Sequence, residues 1–134
     1  MHYVNPEYVL SRQIAYYLRA QYPKCFYHFD PSGLSHTKAQ AGMMKALQPG
    51  RGYPDLFICE PKQSLKNGSY HGLFIELKPE GAKIYKKDGT PATPHLAEQL
   101  ECLLKLKLKG YQAAFGIGFE NTKKLIDDYL NNRL

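Results

Sequence analysis

The chain has 134 residues, 43% hydrophobic and 22% charged, which excludes a disordered or fibrous protein and suits one compact domain that needs no disulfide or structural metal. Lysine and arginine total 18 against 12 acidic residues, a formal charge of +6 that favours a polyanionic partner without naming one. Cys25, Cys59 and Cys102 form no Cys-x-x-Cys pair, and the five histidines show no zinc-ligand spacing, so neither a disulfide framework nor a zinc knuckle is encoded.

The opening Met1-His2-Tyr3-Val4-Asn5-Pro6 lacks a basic region followed by an apolar run, and no stretch approaches the ~20 apolar residues of a membrane span. A cytoplasmic protein with no membrane partner is expected. Asn5 can cap a first helix, with Pro6 and Glu7 in its first turn. Leu10, Ile14, Tyr17 and Leu18 recur at helical spacing until Tyr22-Pro23, and Glu7 falls on the same stripe. Cys25 to Phe29 reads as a strand closed by the turn Asp30-Pro31-Ser32-Gly33.

A short helix follows from about Thr37 to Leu47, and Gly50-Arg51-Gly52-Tyr53-Pro54 leads into a strand, Asp55 to Cys59. The polar stretch Pro61–Tyr70 contains Asn67-Gly68, a hairpin turn signal, before the strand His71 to Lys78. A lysine-bearing loop runs from Pro79 to Thr93. Thr93-Pro94 opens a second long helix carrying Leu96, Leu100, Leu103, Leu104 and Leu108 to Gly110. Tyr111 to Phe119 reads as a buried strand, and Asn121 as the cap of a last helix ending near Arg133. The order αβ(α)ββαβα, without an internal repeat, predicts an α/β or α+β domain with one sheet between helices.

Polar residues at the ends of apolar strands are the most informative anomaly. Glu76 and Lys78 are two apart and share a strand face, with Leu77 on the opposite one. A turn within Pro61–Tyr70 would bring Asp55 beside Glu76. Two such carboxylates repel, and a divalent cation relieves the conflict, since magnesium prefers hard oxygen ligands. Lys78 would add a positive charge able to polarise water or a phosphate oxygen. Taken alone, a Glu-x-Lys on a strand reads as a solvated pair; the Pro-Asp opening and the basic loop favour the functional reading.

Gly52-Tyr53-Pro54-Asp55-Leu56 followed by Ile75-Glu76-Leu77-Lys78 resembles the PD-(D/E)xK nuclease signature. The glycine-containing loop, then Gln99 before an apolar run and Gly110-Tyr111, is similar to the VRR-Nuc (virus-type replication-repair nuclease) branch. The resemblance implies an α/β, restriction-endonuclease-like core with a mixed central sheet flanked by helices, one domain over residues 1–134, bacterial or phage-encoded. It implies Mg2+ or Mn2+ held by Asp55, Glu76 and the Leu77 carbonyl. Lys78 would orient the attacking water or stabilise charge on the phosphate, Gln99 would reach the site from its helix, and hydrolysis would release the 3′ oxygen. Glu7 matches the family's first-helix acidic residue and would bind metal through water.

Competing roles stay open for Gln99, as a structural hydrogen-bond partner, and for Glu7, as a helix-terminus charge. His95 reads as a surface or cap residue. The 20 residues between Lys78 and Gln99 form a longer connection than the family pattern. There Lys83, Lys86 and Lys87 beside Tyr85, together with Arg51, are candidate DNA contacts, or a merely solvated loop. The implied activity is a metal-dependent, structure-specific DNA endonuclease acting at branched DNA, similar to Holliday-junction resolvases. Symmetric cutting of two strands would need a homodimer. Tyr8–Leu18 or Leu96–Leu108 offers an interface, unless either is core. The alternatives are a monomeric flap- or nick-processing nuclease and a catalytically silent nucleic-acid-binding module.

Overall fold

Helix α1 (Pro6–Gln21) begins where Asn5 turns its side-chain oxygen back onto the amides of Glu7 and Tyr8, at 2.9 and 3.3 Å. Such a cap contributes about 1 kcal/mol, and it fixes Glu7 in the first turn. The computed structural model describes residues 5–34, 36–64, 66 and 68–133; the N-terminal four residues and Asn67 of the expected hairpin turn lie outside them. After α1 come β1 (Tyr27–Phe29), a single 3-10 turn (Pro31–Gly33), α2 (Lys38–Ala46) and β2 (Leu56–Ile58). Then follow β3 (Lys62–Ser64), β4 (Gly68–Tyr70), β5 (Leu73–Lys78), α3 (Pro94–Leu108), β6 (Gln112–Ile117) and α4 (Gly118–Leu130).

The main sheet has the order β1-β2-β5-β6. β2 pairs antiparallel with both β1 and β5, while β5 and β6 run parallel because α3 carries the chain back across the sheet. The sheet is therefore mixed, and the protein is one small α/β domain. The polar stretch that separates β2 from β5 pairs with itself as a β3–β4 hairpin, apart from the main sheet.

Alternation along β5 sorts its side chains between two layers. Leu73, Ile75 and Leu77 join Leu10, Ile14 and Leu18 of α1 and Ile126, Tyr129 and Leu130 of α4 in the larger core. Phe74 faces the other way, toward Leu103 of α3 and Ala113 of β6. Extending that period places Glu76 and Lys78 on the α3 face, and every residue of β5 is buried. A sheet covered on both faces thus carries two charged side chains at the end of its central strand.

Several expected boundaries shift. The last strand stops at Ile117 and α4 starts at Gly118, three residues before Asn121. Gly118 adopts a φ of 76°, which ends the strand, and Asn121 accepts the Ile117 amide at 2.8 Å from inside the helix. α4 closes at Leu130 rather than near Arg133. Within α3, Leu96 and Leu103 are buried, whereas Leu104 and Leu108 are exposed, so the leucine run overstates the buried stripe. Of the 20 residues after Lys78, the last five already belong to α3. No helix among the described residues is long and apolar enough to cross a membrane.

Candidate active site

The site forms where β2 and β5 end side by side. Leu56 pairs with Ile75, so Asp55 and Glu76 are the next residues outward on neighbouring strands. Asp55 Oδ2 accepts the Leu77 amide at 2.8 Å. In an extended strand a residue's N–H and C=O point to the same edge, which turns the Leu77 carbonyl toward β2 as well. Glu76 Oε1 accepts from Gln99 Nε2 at 2.8 Å, and Lys78 Nζ lies 4.0 Å from the same oxygen.

Burial makes these charges matter. Glu76 is 4% exposed, Lys78 9% and Gln99 5%, and charged side chains are seldom this buried without partners. Burial pushes the Glu76 carboxyl well above its ordinary range; the neighbouring Asp55 charge pushes it further, Glu7 adds to this, and Lys78 opposes it. Burial also raises Asp55, but the Leu77 amide and Lys78 pull it back. Without a cation, burial and the neighbouring Asp55 favour the protonated form of Glu76.

Glu76 Oε2 and Gln99 Oε1 are buried with no hydrogen-bond partner. They belong to a cavity of about 220 Å³ that Glu7, Asp55, Gln48 and His95 also line. Gly33 leaves this cavity open: a Cβ there would sit 3.5 Å from Glu7 Oε2 and 3.8 Å from Asp55 Oδ1. Two carboxylates, one backbone carbonyl and an orphaned acceptor are hard oxygen donors of the kind that suits magnesium or manganese. Among the described residues, no three His, Cys, Asp or Glu side chains form a ready-made metal cluster. A cation would therefore draw on Asp55, Glu76, the Leu77 carbonyl and water, with Glu7 in reach through water.

The structure thus brings Glu7, Asp55, Glu76, Leu77, Lys78 and Gln99 to one end of the sheet. It separates the basic candidates from them. Lys83, Lys86 and Lys87 are exposed on the loop after β5, which folds on itself through a Tyr85–Pro91 bridge, and none lines the cavity. Arg51 sits nearer, with its guanidinium 4.0 Å from Glu98 Oε1. His95 is exposed, as the surface reading from the sequence has it, and it also lines the cavity, with its Nε2 3.1 Å from Gln99 Nε2. A signal for this exists in the sequence: His95 and Gln99 stand four apart, hence on one helix face.

No family model matches the sequence, and no curated protein matches it. Among solved structures the chain is similar to a "VRR_NUC domain protein", 25% identical, covering 97% of this chain and 92% of that one with a TM-score of 0.67. A likeness that spans nearly the whole chain, joined to Asp55, Glu76, Lys78 and Gln99 converging on one end of the sheet, supports a VRR-Nuc-type domain.

Proposed function

We propose that the chain hydrolyses phosphodiester bonds in DNA with Mg2+ or Mn2+, cutting at branched structures. The observation that carries this is the unpartnered, buried Glu76 Oε2 beside Asp55, with the Lys78 amine 4.0 Å from the other Glu76 oxygen. A native core does not leave an acceptor orphaned between two acids without a compensating partner. Those atoms, with the Leu77 carbonyl, are the residues that would hold the ion. When bound, it supplies positive charge for a phosphate oxygen and for a water made more acidic.

The chain's own residues do the rest. The Leu77 amide pins Asp55 in one orientation, and Gln99 does the same for Glu76. Such pre-set geometry lowers the reorganisation needed at the moment of reaction. Lys78, held on rigid β5, offers an ammonium that orients the attacking water and stabilises charge developing on the phosphate. One catalytic cavity per chain makes a C2 homodimer the natural arrangement for paired incisions. A partner could use the exposed flank of α1, where Tyr8, Val9 and Tyr16 stand outside the core that Leu10, Ile14 and Leu18 fill.

The test uses labelled four-way junction, flap, nicked and linear duplex DNA, each with Mg2+, Mn2+ or EDTA. Paired symmetric incisions near the branch, by a species that sediments as a dimer, support the proposal. One-sided cuts by a monomer select flap or nick processing. Binding without metal-dependent cleavage of any substrate leaves a silent binding module and refutes the enzyme.

A further inference from the structure

A second cavity of about 950 Å³ opens beside the catalytic one, between the segment that follows α2 and the first turn of α3. Ser32, Gln48, Gly52 and His95 line both, so the two cavities adjoin; taken together as a channel, their inner end holds Asp55 and Glu76. Its outer walls carry Lys45 and Arg51.

The segment that builds this wall is unusual in two ways. From Pro31 to Pro54 it contains no aspartate or glutamate, while it carries Lys38, Lys45 and Arg51. Its helix α2 contributes no buried residue to the protein. The helix is held at its ends instead: Thr37 and Gln40 form a capping box, and Gln48 Nε2 donates to Asp30 Oδ2 at 3.2 Å. Helices in folded domains are normally stabilised by burying an apolar face. One that buries none, is free of acids and flanks a catalytic cavity is suited to a ligand rather than to the core.

The wall is also set at a fixed distance. Gly52 has a φ of 83°, and a Cβ there would fall 2.9 Å from the Glu98 carbonyl oxygen, so the segment touches the α3 backbone directly. The one acid in the outer channel wall, Glu98, is countered by Arg51 at 4.0 Å, and Lys45 adds a second cation to that wall. The channel therefore presents net positive charge toward its mouth.

We infer that this channel seats the sugar–phosphate backbone of the strand being cut, with Lys45 and Arg51 gripping phosphates beside the scissile one and His95 at the junction of the two cavities. The inference rests on the nuclease reading of the inner site. It assigns the principal grip to the segment before β2, not to Lys83, Lys86 and Lys87 on the loop after β5.

The experiment is fluorescence anisotropy on the full chain in EDTA, with a labelled four-way junction and a labelled single strand, titrated at low and at physiological salt. Removing one cation that neutralises a phosphate should reduce the slope of log affinity against log salt by about 0.7 to 0.9. Lys45→Ala and Arg51→Ala are each expected to weaken binding severalfold at low salt and to reduce the slope by that amount. Arg51→Glu should cost more than tenfold, and Lys105→Ala, whose amine pairs with Glu101 at 3.4 Å, should change nothing. Circular dichroism confirms that each variant is folded. Wild-type slopes in both Lys45→Ala and Arg51→Ala, or a slope reduced only in Lys86→Ala, overturn the channel and leave the nuclease reading intact. A wild-type chain that binds neither probe removes the nuclease reading itself.

Discussion

Replacing Glu76 with glutamine separates the charge of this buried carboxyl from its shape. Glutamine keeps an oxygen where Gln99 Nε2 now donates at 2.8 Å, and its amide group occupies the place of Oε2. In the ion-free protein burial, then the charge of Asp55, hold Glu76 above its ordinary range. The folded state therefore binds this proton more tightly than the unfolded chain, whose glutamate titrates near about 4.3. A raised carboxyl contributes stability that is complete below the unfolded value and is lost as pH rises toward the folded one. The loss is at most about 1.4 kcal/mol per pH unit, or about 2.7 kcal/mol between pH 5 and 7.

Glu76→Gln cannot release that proton. Thermal unfolding of both proteins in EDTA, from pH 5 to 8, should start within about 1 kcal/mol at pH 5 and diverge in favour of the variant as pH rises. For a domain of this size, 1 kcal/mol corresponds to roughly 3 to 5 °C in Tm, so that limit corresponds to a gap of roughly 8 to 13 °C by pH 7. Added Mn2+ at a hundredfold excess over its Kd should then raise wild type by about 2.7 kcal/mol and the variant hardly at all. Parallel pH profiles in EDTA would show that Glu76 is not held protonated by its surroundings. An equal rise with Mn2+ would remove Glu76 from the ion's ligands.

Lys78→Met should lower turnover about 10²- to 10³-fold with Mn2+ affinity nearly unchanged by calorimetry; an equal loss of affinity would make the lysine a structural partner of Glu76. His95→Ala frees the Gln99 amide it contacts at 3.1 Å, and Mn2+ affinity should fall about tenfold, with most of it restored by His95→Gln, which retains an acceptor. Failure of the glutamine to restore binding would show that the ring acts otherwise than by positioning Gln99. On the opposite face, Asp127 accepts from Tyr17 at 2.5 Å, Tyr22 at 2.7 Å and Lys123 at 2.9 Å. Burial opposes its charge, but these donors hold the carboxyl below the ordinary range, so their stabilisation is present above that range and is lost as pH falls through the lowered value. Asp127→Asn should cost about 1–3 kcal/mol in urea melts at pH 7 and progressively less toward pH 2.

The strands and helices that hold the site are legible in the sequence because their periodicities are local. Leu10, Ile14 and Leu18 repeat at helical spacing, Leu73, Ile75 and Leu77 at strand spacing, and both sets are core. The same alternation puts Glu76 and Lys78 on one face, and the polar Pro61–Tyr70 stretch foretells Asp55 as their neighbour, since a reversal between two strands brings their ends together. Boundaries are less legible where a single backbone angle decides them. Gly118 at φ 76° ends β6 before the apolar pattern does.

What the sequence by itself determined was the set of polar groups that gather at the candidate site and the order of the elements that carry them. Only the tertiary structure decided their environment, because burial and hydrogen-bond geometry depend on residues distant along the chain. Gln99 reaches Glu76 across 23 positions, and His95 enters the site only because the first turn of α3 closes over that same end of the sheet. The acid-free segment around α2 reads locally as a loop and a short helix. It becomes a channel wall when Gly52 brings it against α3, a contact made by two stretches of backbone and therefore invisible in side-chain patterning.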